Sequence, residues 1–180
     1  MIAQTSIKTW LSSVPNRWGS NRYSIHQALW PAFPFQHGGK QPFLFHVEKE
    51  VVLARSTVLP YWGDPRAEVV PERNTWAVGD TAHLNLHLNI HRRQAHKEMP
   101  VEPSDVFPFV FRTLTKMGVS YSLDHLTAYP LHIQGQMHAF PVRVEATVQV
   151  QDVEALTFAL ANGVGRLKYL GLGMPVLTAT

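Results

Sequence analysis

The order of elements in the second half of the chain restricts the fold more than any other feature of the sequence. Thr81 to His91 alternates apolar with polar residues, which is the pattern of a half-buried strand. Five further elements are predicted after it: a helix over Phe107 to Met117, strands over Val119 to Leu131 and Phe140 to Gln151, a helix capped by Asp152, and a strand over Met174 to Leu177. This β-α-β-β-α-β order is that of a ferredoxin-like domain.

The first half of the chain has a similar order with weaker signals. The predicted elements are a strand over Ile2 to Trp10, a turn-rich stretch over Ser12 to Ser20, a helix over Asn21 to Phe33, and strands over Pro42 to Glu48 and Val51 to Leu59. A loop with a short strand follows, up to Gly79. We therefore predict an α+β fold with two tandem ferredoxin-like (RRM-like) domains, over residues 1–79 and 80–180. The duplication is inferred from the element order alone, because the sequence shows no repeat at the residue level.

The composition limits the class of protein and of chemistry. The 180 residues carry a net charge of +3, which is compatible with a nucleic-acid partner without requiring one. The chain has no cysteine, so disulfides, thiolate zinc sites and cysteine nucleophiles are excluded. Neither a signal-peptide pattern nor an apolar run of membrane-spanning length is visible. We expect a cytoplasmic protein with no membrane partner.

A glycine-rich segment near the end of the chain predicts contact with phosphate. Gly163, Gly165, Gly171 and Gly173 lie within eleven residues that also include two cations, Arg166 and Lys168. Glycine lets backbone amides approach a ligand closely, and amides beside cations form anion sites. The segment lacks the Gly-Lys-Ser or Gly-Lys-Thr of a mononucleotide P-loop and follows a helix rather than a strand. A nucleic-acid backbone is therefore a better partner for it than a nucleoside triphosphate.

Tyr23 and His26 are candidate proton-transfer residues on the first helix. Residues three apart share a helix face, and Ile25, Ala28 and Leu29 would face the core. An imidazole is the natural proton-transfer group near pH 7, and a phenol beside it can donate a hydrogen bond. From spacing alone, both residues could equally be ordinary, partly exposed helix residues.

The histidines at positions 83, 87 and 91 do not predict a metal site. On a strand, residues four apart are separated by roughly 13 Å, which one zinc ion cannot bridge. We expect neither a metal nor another cofactor. The face that carries these histidines suits hydrogen bonding to a polar partner, or is simply a solvated sheet face.

Two polar clusters are candidates for RNA binding. Arg92, Arg93 and Lys97 form the densest basic cluster, in a predicted loop up to Pro103, and could neutralise phosphates or serve as a charged linker. His132 and His138 flank a predicted hairpin tip, where they could contact RNA or decorate an exposed turn.

Two separated motifs together resemble one family. The segment from His26 to Pro34, followed by Phe43-Leu44-Phe45-His46-Val47-Glu48, resembles the N-terminal block of CRISPR repeat-processing endoribonucleases of the Cas-six family, type I-E branch. The glycine-rich segment, up to Met174, is similar to the glycine-rich loop of the same branch. The resemblance covers nearly the whole chain.

The resemblance implies an activity and a role for each residue. It implies metal-independent cleavage of the CRISPR repeat at the base of a stem-loop, by attack of the RNA's own 2′-hydroxyl, followed by retention of the product hairpin in a multisubunit CRISPR effector complex. His26 matches the catalytic histidine, Tyr23 a tyrosine that accompanies it in some members, and Lys168 a lysine near the scissile phosphate. Arg166 would contact the RNA backbone. The alternatives are a subunit that binds the RNA hairpin without cutting it, and a ferredoxin-like scaffold with no RNA role.

Overall fold

The computed structural model describes residues 8–33, 41–72, 75–94, 97–129, 131 and 139–180. The strands are β1 (Trp10–Pro15), β2 (Phe43–Val47), β3 (Val51–Ser56), β4 (Glu68–Pro71), β5 (Thr81–Asn89), β6 (His91–Gln94), β7 (Lys97–Pro100), β8 (Val119–Ala128), β9 (Pro141–Val150) and β10 (Val176–Ala179). The α-helices are α1 (Arg22–Leu29), α2 (Pro103–Lys116) and α3 (Val153–Asn162). Two short 3₁₀ turns cover Trp30–Ala32 and Lys168–Leu170.

Each half of the chain contributes one four-stranded antiparallel sheet. The strand order is β2-β3-β1-β4 in the first sheet and β10-β5-β9-β8 in the second. Numbered within each half, both orders are 4-1-3-2, the arrangement that a β-α-β-β-α-β chain gives when its first and third strands lie side by side. The predicted fold class, two ferredoxin-like units, is confirmed. The first unit has no helix between β3 and β4, where residues 57–67 are irregular.

The first strand differs from the sequence-based prediction. Ile2 to Trp10 was the predicted strand, and its residues up to 7 lie outside the described part of the chain. β1 begins at Trp10 and continues through the stretch predicted as turns, because Leu11 to Pro15 pair with Arg55 to Val51 of β3. Pro15 had indicated a turn, but it is the last residue of the strand, where a proline is tolerated.

The segment between β5 and α2 also differs from the prediction. It was predicted as a basic loop over Arg92 to Pro103, but β6 and β7 pair there as an antiparallel hairpin. α2 begins at Pro103, four residues earlier than predicted, since proline is favoured in the first turn of a helix. Phe107 and Phe111 lie at the edge of the buried stripe of α2 and are each 52% exposed.

A buried arginine connects the two halves of the chain. The Arg55 side chain, on β3, is 2% exposed and forms a two-pronged ion pair with Glu72. Its Nη1 also donates to the Pro175 carbonyl oxygen at 2.7 Å, immediately before β10. One guanidinium thus bonds to residues of the first half and to the last segment of the second.

None of the helices in the described ranges is both long and apolar enough to cross a membrane.

Candidate active site

Helix α1 holds His26 between the two halves of the molecule. Asn21 caps the helix, as predicted, by accepting a 3.0 Å hydrogen bond from the Ser24 amide. Ile25 and Leu29 are fully buried against the first sheet. Because these two residues fix the rotation of the helix, His26 is half-buried, whereas Tyr23 is 53% exposed. The structure therefore gives Tyr23 and His26 different surroundings, although both lie on one short helix.

Aromatic rings enclose the imidazole of His26. Its ring centroid lies 5.9 Å from those of Trp30 and Phe43, 6.4 Å from that of Phe45, and 6.1 Å from that of Tyr169. Desolvation by this burial lowers the pKa of His26 below its usual value. A histidine with a lowered pKa is neutral near pH 7, which is the form that can accept a proton.

One nitrogen of His26 has a defined partner. The indole Nε1–H of Trp30 donates to His26 Nε2 over 3.0 Å. Since an indole can only donate, Nε2 is the acceptor and the ring proton resides on Nδ1. Nδ1 is buried and bonds to no described residue. Trp30 was not among the predicted site residues, although its position four residues after His26 places it on the same helix face.

Lys168 lies on the 3₁₀ turn that packs against α1. Leu167, just before it, has a left-handed φ of 61°, which turns the chain sharply into the 3₁₀ turn. Lys168 Nζ donates to the carbonyl oxygen of Asn162, the last residue of α3, over 2.6 Å. Desolvation lowers the pKa of the Lys168 amine. The neighbouring residue, Tyr169, makes the ring contact with His26, so the structure brings the turn that carries Lys168 to the His26 ring.

The glycines of the tail pack closely and use their amides within the fold. The amide of Gly163 donates to Ala159 O, that of Gly171 to Lys168 O, and that of Gly173 to His87 O. These three amides are therefore engaged in the protein, unlike those of the phosphate cradle that the sequence suggested. A Cβ on Gly173 would lie 1.9 Å from the Val164 carbonyl oxygen, so glycine is required there by space.

A buried polar cluster, which no sequence motif indicates as a group, lies beside the site. Arg22 on α1 is 6% exposed, and its Nη2 lies 3.5 Å from His87 Nδ1 on β5. The His87 ring packs against His46 of β2, whose Nε2 is 2.8 Å from Glu48 Oε1. Glu48 also accepts from Asn85 Nδ2 over 3.0 Å. These contacts link the two sheets under the glycine-rich segment.

Arg166 of the tail contacts β6, the strand that also carries Arg92. Arg166 Nη1 is 3.3 Å from His91 Nε2 on β6, next to Arg92 in sequence. The other ring nitrogen of His91 lies 3.1 Å from Asn89 Nδ2. Arg92 forms an exposed ion pair with Glu102, 3.2 Å between nitrogen and oxygen.

The remaining predicted RNA-binding residues are only partly described. Arg93 lies on β6 and Lys97 on β7, but their side chains are outside the described part of the structure. His132 and His138 lie outside the described residues altogether. Gly165 is exposed in the bend after α3. Across the described ranges, no group of three or more histidine, aspartate or glutamate residues is arranged to hold a metal ion.

Comparison with known proteins identifies the architecture. No protein-family model and no curated protein sequence matches the chain. A structure of the CRISPR endoribonuclease Cse3 bound to a 19 nt RNA has a TM-score of 0.79 and 24% identity, with 95% of this chain and 99% of that chain covered. The chain has its fold. The CRISPR-associated protein Cas6e from Escherichia coli str. K-12 gives a TM-score of 0.71 and 20% identity, with 96% and 100% covered.

The similarity also extends to a protein within an assembly. A chain of a CRISPR RNA-guided surveillance complex gives a TM-score of 0.74 at 16% identity, with 95% of this chain and 100% of that chain covered. Because the coverage is nearly complete on both sides in all three comparisons, both ferredoxin-like units and their connection are shared, not one unit alone.

Proposed function

We propose that the chain is a metal-independent endoribonuclease that cleaves CRISPR precursor RNA within the repeat, at the base of a stem-loop. The proposal rests on the contact between α1 and the tail. The ring of His26 packs against Tyr169, in the same 3₁₀ turn as Lys168, although the two segments are far apart in sequence. This pairing occurs on a fold shared with an RNA-bound CRISPR endoribonuclease.

His26 is proposed to act as the general base. Its lowered pKa keeps the imidazole neutral, and Nε2 is the nitrogen with the lone pair. The 2′-hydroxyl oxygen attacks the adjacent phosphorus, its proton passes to Nε2, and the bond from phosphorus to the 5′-oxygen breaks. The leaving oxygen takes up a proton. The products are a 2′,3′-cyclic phosphate and a 5′-hydroxyl, and the reaction consumes no other molecule.

Lys168 is proposed to stabilise the charge that develops on the phosphate. A cation held on a rigid turn, partly shielded from water, is more effective in the transition state than an exposed one. Its lowered pKa also makes the ammonium a better proton donor to the leaving oxygen. Tyr23 is 53% exposed, which suits contact with RNA better than a role in orienting His26.

The RNA stem is proposed to lie along the basic groups that border this site. Arg166, Arg92, Arg93 and Lys97 would neutralise phosphates, and His132 and His138 would contact the same stem. Side chains reach the base edges of an A-form major groove poorly, so recognition would depend on phosphate and shape contacts. The mature guide RNA would stay bound, and the protein would join other subunits of a CRISPR effector complex, as its structural relative does.

The test uses the purified chain, the repeat RNA of the same genome and excess EDTA. We expect a single cut at the 3′ base of the stem, with a cyclic phosphate on the upstream product. A 2′-deoxy substitution at the attacking nucleotide should abolish the cut. His26→Ala should abolish cleavage while binding is retained, and His125→Ala, which changes an exposed histidine on β8, should cut normally.

Two results would redirect the proposal. Tight binding of the repeat with no cut in the unmodified protein would support the alternative, a subunit that holds the RNA hairpin without cleaving it. Cleavage that stops in EDTA and returns with a divalent ion would exclude the metal-independent mechanism.

A further inference from the structure

Among the described residues, only Trp30 forms a hydrogen bond with a ring nitrogen of His26. The indole follows α1 directly, as the first residue of the Trp30–Ala32 turn, and its N–H lies 3.0 Å from Nε2. The two rings are almost perpendicular, at 88°. The indole also packs edge-on against Phe43 of β2, with centroids 5.6 Å apart, and Phe43 in turn lies 5.9 Å from the His26 ring. Mutual contact among the three rings of Trp30, His26 and Phe43 therefore restricts the direction of the indole N–H group.

This hydrogen bond can exist in only one chemical state of the imidazole. The indole nitrogen of Trp30 can only donate a hydrogen bond, so His26 Nε2 must accept it. A protonated imidazolium has no lone pair with which to accept, so the bond requires a neutral His26 ring with its proton on Nδ1. In that state Nε2 presents its lone pair. A ring that was free to turn or to change tautomer would present the same nitrogen only part of the time.

We propose that Trp30 is a positioning residue for His26: its indole N–H holds the ring with Nε2 as the acceptor until the 2′-hydroxyl of the RNA replaces the indole at that nitrogen. This inference rests on the proposed function, and it adds a residue to it. Trp30 makes no contact with the RNA in this scheme and acts only through His26. Its contribution is that the base enters the reaction in the correct tautomer and orientation.

The other described groups around His26 do not offer a competing explanation for its state. β2 faces the ring with Phe43 and Phe45, which carry no charge. The 3₁₀ turn of the tail faces it with Tyr169, and the Lys168 amine is directed to the Asn162 carbonyl. On α1 itself, Tyr23 is exposed and Arg22 is buried against His87. Burial lowers the pKa of His26, and the bond from the indole, which requires the neutral ring, acts in the same direction.

The first experiment needs no RNA. Long-range ¹H–¹⁵N NMR of the ring nitrogens in the unmodified protein should show neutral His26 with its proton on Nδ1. Trp30→Phe removes the donor while keeping an aromatic ring, and should shift His26 toward the other tautomer. Trp62→Phe is the matched control, because Trp62 lies in the same cluster and its N–H bonds to no described residue. His26 with its proton on Nε2 in the unmodified protein would overturn the inference without any variant.

The second experiment measures single-turnover cleavage of the repeat RNA against pH. Because the neutral base is the active form, the rate rises with pH through the pKa of His26. Loss of a hydrogen bond that favours the neutral form raises that pKa, so Trp30→Phe should move the rising limb roughly half to one pH unit upward. Trp62→Phe should leave the limb in place.

The two experiments separate the inference from the proposed function. An unchanged tautomer and an unmoved limb in a folded, cleaving Trp30→Phe protein would overturn the role of Trp30 and leave the nuclease proposal intact. A protein with the expected tautomer that cuts no repeat RNA would overturn the proposed function, and with it the catalytic purpose assigned here to Trp30.

Discussion

The imidazole rings of His46 and His87 lie 4.3 Å apart between their centroids, one on a strand of each sheet. Burial lowers the pKa of His87 to about 3, with smaller contributions from the charges of His46 and Arg22. Both rings are nearly inaccessible to water, at 1% and 6% exposed. The contact between the two sheets therefore includes a histidine that resists protonation.

The stability of the protein should fall as the pH drops below the usual pKa of histidine. Unfolded His87 takes up a proton near pH 6.5, whereas the folded state does so only near pH 3, so its contribution is fully present above 6.5 and is lost as the pH falls toward 3. Between pH 7.5 and pH 5 the loss is about 2 kcal/mol for a shift of this direction and size. Urea unfolding at the two pH values measures it.

A control pair isolates the His87 contribution. His87→Gln should flatten the pH dependence over this range, and His83→Gln, at an exposed site on the same strand, should not. Glu48, whose pKa is lowered to about 2 chiefly by its hydrogen bond to His46, adds a further loss only below about pH 4.5. If the unfolding free energy of the His87→Gln protein fell with pH as steeply as that of the unmodified protein, the loss could not be assigned to His87.

Lys168→Ala should separate cleavage from binding. Removing one charge-stabilising group from a phosphate-transfer site costs roughly 10²- to 10³-fold in rate. Binding of the repeat stem should weaken only a few-fold, since one phosphate contact is a small part of the total. Single-turnover rates and filter binding on the same samples measure both, and Lys116→Ala, an exposed lysine on α2, is the control. Equal losses in rate and affinity would argue that Lys168 acts through binding alone.

Gly171→Ala should destabilise the protein by more than the backbone strain of a positive φ alone. The added Cβ would lie 2.6 Å from Phe45 Cε2 and 3.0 Å from Arg22 Nη1, at a φ of +70°. Gly165 has nearly the same φ, +71°, but a Cβ there meets only Leu88 Cδ2 at 3.8 Å. Gly165→Ala therefore carries the backbone strain without the clash. We expect Gly171→Ala to cost about 1–3 kcal/mol more in unfolding free energy, as overpacking does. Similar losses in the two variants would show that the neighbouring side chains adjust.

Arg55→Met should weaken the connection between the two halves. The substitution leaves Glu72 partly buried without its cation and removes the donor to the Pro175 carbonyl. Breaking a buried ion pair from one side costs about 3–5 kcal/mol. Chemical denaturation gives the value, with Arg112→Met on the exposed side of α2 as the control. A loss below 1 kcal/mol would mean that the attraction between Arg55 and Glu72 does little more than offset the cost of desolvating the two charges.

The second half of the fold could be predicted because its patterns are local. The alternation from Thr81 to His91 corresponds to β5, and Asp152 and Gly163 mark the two ends of α3. The β6–β7 hairpin was missed because its polar residues give no apolar alternation. β1 was misplaced because Pro15 indicates a turn locally, whereas pairing with β3 decides its conformation.

The sequence suggests which residues could form the candidate site, but it does not specify their contacts. His26 and Lys168 could be proposed from motifs at the two ends of the chain. The bond from Trp30 to Nε2 depends on the rotamers of two rings packed by Phe43, which no spacing rule specifies. The Arg22–His87 contact joins residues on different elements of different halves, so only the folded structure reveals it.

The contact between α1 and the tail has a consequence for synthesis on the ribosome. His26 emerges early, whereas Lys168 and the glycines that seat it emerge only after both sheets have been made, apart from β10. A nascent chain that has completed its first unit still lacks the Lys168–Leu170 turn, which contacts the His26 ring. The nuclease activity proposed above would therefore begin only when translation has passed the tail, because a prematurely terminated chain lacks Lys168 and the turn that contacts the His26 ring.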